Sequence, residues 1–324
     1  MLQIFSVTFP FFALVLCGYL AATRRMLPLE AIPGLNGFVL FFALPCMLFR
    51  FGAATPIAQL LDGTLVVLYL LCALAIVGLT IALTLNERIR WNDASFGALV
   101  AAFPNTGFMG VPLLVALLGA QAAGPTILTI LLDMVVTTSL CIALSRLDAA
   151  DQHGMAIAAR KALAGMLVNP LPWSILLGAA ASAASLKLPG PVDKTIALLA
   201  EAASPVALFT IGAVIARSQK LAADKRASGQ GTPDSRDYIL VALIKLLVHP
   251  LLVLAVASGA RYLGVPIEPF TITVMVLVAA LPSASNVSML AERYGADNGR
   301  VARIILVSTV VAFFTFSGAV ALMR

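Results

Sequence analysis

Long apolar runs, separated by short polar ones, fill this chain from end to end. A helix needs about 20 mostly apolar residues to cross a bilayer. Ten runs reach that length: 3–22, 32–51, 63–85, 94–118, 124–146, 163–184, 195–216, 238–260, 270–291 and 301–323. Polar connections such as Asn86–Asp93 and Arg217–Asp237 lie between them. The pattern predicts an all-α polytopic membrane protein with ten transmembrane helices. Leu221–Asp237 is the one long polar stretch. Its Ala, Gly, Ser, Lys and Asp content cannot bury a core. It reads as a flexible cytoplasmic linker within a loop over 217–237.

Composition strengthens this reading. Of 324 residues, 61% are hydrophobic and only 11% charged, against about 25% charged in soluble domains. The net charge of +6 is then no sign of nucleic-acid binding, because polytopic proteins hold Lys and Arg in cytoplasmic loops. With the N-terminus outside, Arg24, Arg25, Arg88, Arg90, Arg146, Arg160, Lys161, Arg217, Lys220, Lys225, Arg226, Arg236, Arg293, Arg300 and Arg303 fall on the cytoplasmic side. Arg50, Lys187, Lys194, Arg261 and Arg324 fall outside, and Lys245 lies deeper within a span. This bias predicts a multi-pass protein of the cytoplasmic (inner) membrane with both termini outside. No positive charge precedes the first apolar run, while Arg24 and Arg25 follow it, so the run reads as a retained helix and not a cleaved signal.

The remaining chemistry is sparse. Cys17, Cys46, Cys72 and Cys141 sit in apolar runs without metal-like spacing and read as small buried hydrophobes. No metal or cofactor is expected. There is no HExxH, no GxSxG and no closely spaced carboxylate pair, which argues against an enzyme. No polar segment is long enough for a signalling domain.

The two halves repeat, residues 1–150 against 151–324. At an offset of 160, Pro10 matches Pro170, Gly18 matches Gly178, and Pro45, Leu48, Phe49, Gly52 and Ala53 match Pro205, Leu208, Phe209, Gly212 and Ala213. Further on the offset is 178, and Leu99-Val100-Ala101-Ala102 with Pro104 matches Leu277-Val278-Ala279-Ala280 with Pro282. Five spans per half is odd, so the halves insert with opposite orientation. Two inverted five-helix repeats are a hallmark of secondary transporters.

Two segments interrupt their spans near the middle, Pro104-Asn105-Thr106-Gly107 in the fourth and Pro282-Ser283-Ala284-Ser285-Asn286 in the ninth. Proline removes a backbone donor and crowds the preceding turn. Freed backbone groups at membrane depth are tolerated only where protein or a water-filled cavity satisfies them. Matched interrupted helices point to a transporter's binding site, and half-helix N-termini there offer amides to an anion. A pair of kinked helices without ligand is the plainer alternative.

Ionisable residues within spans are costly and usually functional. Lys245 and His249 are four apart, hence on one helix face. Lys245 suits a carboxylate substrate or snorkels to the interface. His249 suits proton coupling or is a buried histidine bonded to a carbonyl. Asp133, deep in the fifth span, needs a partner, and Lys245 is the candidate. Glu201 and Asn36 are weaker candidates, for an interface pair and for an entrance or interhelical bond.

The runs FPNTGFMGVPL (103–113) and LPSASNVSMLAERYG (281–295) resemble the two crossover helices of the auxin efflux carrier family, whose bacterial branch includes proteins described as malonate transporters. The resemblance spans the chain, although the plant members' long cytoplasmic loop is absent. It implies an elevator-type carrier with crossing fourth and ninth helices and a scaffold of spans one, two, six and seven, often dimeric. By the same resemblance Asn105, Thr106, Ser283, Ser285 and Asn286 contact substrate, with Gly107 in the same break. The expected function is secondary transport of a small organic anion, a mono- or dicarboxylate with malonate leading, coupled to a proton or a sodium ion. The alternatives are a channel-like passive facilitator and an exporter of amphipathic organic acids.

Overall fold

The computed structural model describes residues 2–54, 62–147, 170–186, 188–227 and 235–323. In these residues the apolar runs form α1 (Leu2–Thr23), α2 (Leu29–Ala54), α3 (Gly63–Thr84), α4 (Trp91–Ala102), α5 (Thr106–Leu118), α6 (Ala120–Leu144), α7 (Pro170–Ala183), α8 (Gly190–Ala227), α9 (Arg236–Tyr262), α10 (Pro269–Ala280), α11 (Asn286–Arg293) and α12 (Asn298–Met323). Among the described residues there is no strand, only an isolated bridge between Pro104 and Ser283. By length and composition α2, α3, α6, α8, α9 and α12 can each cross a membrane, and α1, α5, α7 and α10 hold shorter apolar stretches. On α3, Tyr69, Cys72 and Ile76 are buried while Val67, Leu71 and Leu83 are exposed, so the helix is apolar all round, as lipid contact demands.

The two interrupted runs each form two helices, α4 with α5 and α10 with α11. Two expectations are corrected. The stretch read as a linker is helical through Ala227 and again from Ser235, and 228–234 lie outside the described residues. Its first part, Lys-Leu-Ala-Ala-Asp-Lys-Arg-Ala over 220–227, is made largely of good helix formers, which polarity alone does not register. Cys17 is exposed and Cys46 half-buried, so only Cys72 and Cys141 are buried as expected. The start of the sixth run (163–169) and Arg160, Lys161, Lys187 and Arg324 lie outside the described residues.

Among the described residues four helical stretches widen into π-turns: Val39–Ala43, Thr106–Gly110, Asp133–Thr137 and Ile244–Val248. Three stand just before Pro45, Pro112 and Pro250. A proline that cannot donate lets the ladder gain a residue. The exception begins at Asp133, whose carbonyl accepts from Thr138 Oγ1 at 2.8 Å.

The chain divides into two compact units, each drawing on both halves of the sequence. One comprises residues 1–62, 106–128 and 169–229, the other 63–105, 129–168 and 230–324.

In the first unit glycine sets the packing. α1 lies on α8 and α2 on α7. A Cβ at Gly18 would sit 1.8 Å from the Phe209 carbonyl oxygen, and one at Gly212 1.8 Å from that of Val15. The second pair mirrors the first: a Cβ at Gly52 would meet the Ile175 oxygen at 2.3 Å, and one at Gly178 the Phe49 oxygen at 2.1 Å. The offset of 160 carries Gly18 onto Gly178 and Gly52 onto Gly212. Small residues let membrane helices approach backbone to backbone. Gly212→Ala should therefore lower stability by about 1–3 kcal/mol, read as a lower thermal midpoint in lipid nanodiscs. Gly259→Ala, where a Cβ meets nothing within 4 Å, should leave the midpoint unchanged or raised.

Candidate functional site

The second unit holds the ends of two helices that stop at matching places. α4 stops at Ala102 and α10 at Ala280, after which Phe103 and Leu281 are extended. The two extended segments then pair. Asn105 N–H donates to the Pro282 carbonyl at 2.8 Å, and Ala284 N–H donates to the Phe103 carbonyl at 3.0 Å. Pro104 and Pro282 end the helices, and each strand of the bridge supplies a partner that the other's broken ladder lacks. Ser283 N–H donates to Ser308 Oγ at 3.2 Å, and that hydroxyl donates to the Ile305 carbonyl. Pro104, Asn105, Pro282 and Ser283 are buried, and Ser285 and Asn286 half-buried at the start of α11. The buried Ser283 Oγ has no hydrogen-bond partner among the described residues, a polar atom open to a ligand or water.

Asp133, Lys245 and His249 of the same unit are fully buried. Lys245 Nζ donates to the Ala279 carbonyl at 2.7 Å and lies 3.3 Å from His249 Nδ1. It does not snorkel. A cation suits carbonyls in the last turn of a helix, and Ala279 is in the last turn of α10. The His249 ring also interacts with the Ala101 backbone, although its Nε2 makes no hydrogen bond of ordinary geometry. Ala101 and Ala279 are equivalent under the offset of 178. One face of α9 thus reaches the ends of both half-helices.

Asp133 has a different partner from the one expected. Its carboxylate accepts from Tyr69 Oη at 2.6 Å and from Thr137 Oγ1 at 3.1 Å. Asp133 and Lys245 attract each other but form no salt bridge, whereas Glu201 pairs with Arg50, exposed and 4.0 Å apart. Glu201 is accordingly a surface residue. Tyr69 went unnoticed in the sequence because it stands 64 residues from Asp133 and looks like one more apolar residue of its span.

Thr106 and Gly107 open the π-turn of α5 in the first unit, Thr106 buried and Gly107 half-buried. There Ser204 Oγ donates to the Phe108 carbonyl at 2.8 Å. That carbonyl stands four residues before Pro112, so proline has taken its helical donor. Ser204, too, was not legible in the sequence, although its neighbour Pro205 was.

Long apolar helices, two of them broken and carrying buried charge nearby, mark a multi-pass membrane protein. The chain belongs to the membrane transport protein family, matched over residues 3–320, the family of the auxin efflux carriers. It is 30% identical to the "Putative malonate transporter" of Rhizobium meliloti, over the whole of this chain and 97% of that protein. It is 25% identical to "Uncharacterized transporter YfdV" of Escherichia coli, over 88% of this chain and 86% of that one. Auxin efflux carrier component 8 of Arabidopsis thaliana is 22% identical, over 90% and 89%. A small-molecule substrate and a lipid bilayer are the partners that follow, and the protein is not an enzyme.

Tyr69→Phe tests the buried network. It leaves the Asp133 carboxylate short of one donor, at a cost of about 1–3 kcal/mol. The thermal midpoint in nanodiscs should fall, and Tyr238→Phe, at a half-buried ring outside the network, should leave it in place.

Proposed function

We propose that this protein is a secondary active transporter that carries a small organic anion, a mono- or dicarboxylate such as malonate, by elevator-type alternating access. The observation that carries this reading is the bridge between Pro104 and Ser283, beside the equivalent Pro282, which gathers Asn105, Ser283, Ser285 and Asn286 around two helix breaks. In an apolar solvent such breaks persist only where they line a site or are buried in protein. Thr106 and Gly107 complete the first break and the substrate-binding set. The half-helix starting at Asn286 turns a positive dipole end to a carboxylate. The name of the Rhizobium meliloti relative supports malonate as the first substrate to try.

The architecture in this reading is ten spans in two inverted repeats, 1–150 and 151–324, crossing at the fourth and ninth spans, with 217–237 joining them on the cytoplasmic side. The repeated glycine contacts at offset 160 and the equivalent carbonyls of Ala101 and Ala279 support it. The protein sits in the inner membrane as a homodimer, with both termini outside. Lys245 balances substrate charge, and Asp133 and His249 couple transport to a proton or sodium gradient. Their burial, with no ion pair to them among the described residues, is the support for that role.

Uptake of labelled malonate into proteoliposomes, with an imposed proton gradient, a sodium gradient or neither, tests the reading. Saturable, gradient-stimulated uptake with counterflow is expected, and Asn105→Ala should reduce it at least 10-fold. A non-saturable flux without counterflow would identify a passive facilitator. Lys245→Ala should raise the half-saturation concentration for malonate about 10-fold or more, and unchanged affinity and rate in that variant would end the charge-balancing role.

A further inference from the structure

Arg300 belongs to none of the groups above, yet it is almost completely buried, with 3% of its surface exposed. It stands in the first turn of α12, and its guanidinium reaches two other helix starts. Nη1 donates to the Asp93 carbonyl of α4 at 2.8 Å, and Nη2 donates to the Asp237 carbonyl of α9 at 3.5 Å. The carboxylates of Asp93, Asp237 and Asp297 surround its charge. Two further bonds close the cluster: Asp297 N–H donates to Asp93 Oδ1 at 2.7 Å, and Arg300 N–H donates to Asp297 Oδ1 at 3.0 Å. The guanidinium fits because residue 97 is glycine. Gly97 lies one turn beyond Asp93 on the same helix, and a Cβ there would stand 2.6 Å from Nη1.

A second set of contacts ties the same part of α4 to the end of α11. Asn92 Nδ2 donates to the Tyr294 carbonyl at 3.2 Å, and the Tyr294 ring stacks on Phe96 at 6.0 Å. Gly295, at φ 71°, turns the chain from there toward Asp297. The start of α4 is therefore held to α9, α11 and α12, while its far end carries the Pro104–Asn105 break.

We propose that Arg300 is a positioning residue of the carrier: its guanidinium, seated over Gly97, fixes α4 against α9 and α12 and so sets where Asn105 meets the segment from Pro282 to Ala284. The inference rests on the reading of Asn105 as a substrate residue. A planar fork with several donors can bridge two carbonyls on separate helices, which an ammonium cannot do with the same geometry.

Gly97→Ala is the sharpest test, since it leaves Arg300 in place and introduces only the methyl that displaces it. Gly97→Ala, Arg300→Ala, Arg300→Lys and the Gly97→Ala/Arg300→Ala double variant would be compared with wild type as full-length protein, by hydrogen exchange over 91–105 in nanodiscs and by labelled-malonate uptake. Gly97→Ala and Arg300→Ala should each speed exchange over 91–105 about 10-fold or more and raise half-saturation by a similar factor. Arg300→Lys should fall between Arg300→Ala and wild type. The double variant should be no worse than Arg300→Ala, because removing the guanidinium makes room for the methyl. Wild-type exchange and half-saturation in Gly97→Ala would overturn the proposal, as would effects of the two substitutions that multiply in the double variant. If Gly97→Ala does not fold, Arg300→Lys decides, and wild-type exchange in that variant counts against the positioning role. If wild-type protein takes up no malonate, the substrate reading falls while the exchange comparison still decides the role of Arg300.

Discussion

A backbone carbonyl that loses its helical donor inside an apolar solvent must find another, since no water stands ready to replace it. Most of the notable geometry of this protein answers that requirement. Pro104 and Pro282 each end a helix, and the extended segments that follow satisfy one another across the bridge. Pro112 releases the Phe108 carbonyl, and Ser204 supplies a hydroxyl to it. Lys245 serves a carbonyl in the last turn of α10. Each repair recruits a side chain or backbone group from a distant part of the chain, and this fixes the helices around the break.

The two broken helices are alike in sequence but not in their support. Ala101 and Ala279 are equivalent, yet an ammonium serves one and an imidazole faces the other. Ser283 N–H is taken by Ser308, a residue of α12. Two breaks of matching sequence thus carry an asymmetric set of polar groups.

The features legible in the sequence were local or strictly repeated. Apolar runs of bilayer length marked the spans, and Pro104 and Pro282 marked the breaks, because a missing donor acts within one turn. The constant offset relates Gly18 to Gly178 and Gly52 to Gly212, and at all four positions helices meet backbone to backbone. The partners were not legible. Tyr69 and Asp133 stand 64 residues apart, Ser204 and Phe108 96, and Arg300 and Asp93 207. No spacing rule reaches so far, and a tyrosine or serine in an apolar run does not advertise its partner. The helical extension to Ala227 rests on helix propensity, which the polarity of the stretch does not reveal.

The glycine contacts also limit how the first unit can deform. Where side chains interdigitate, packed helices can shear by small repacking steps. Where a glycine receives a carbonyl oxygen directly, an axial slip of one turn would bring Leu14 or Ala22 against the Phe209 backbone in place of Gly18, and each carries a Cβ for which that contact has no room. The pairs α1–α8 and α2–α7 are therefore locked against sliding along their lengths, and any large motion must carry each pair as a single piece.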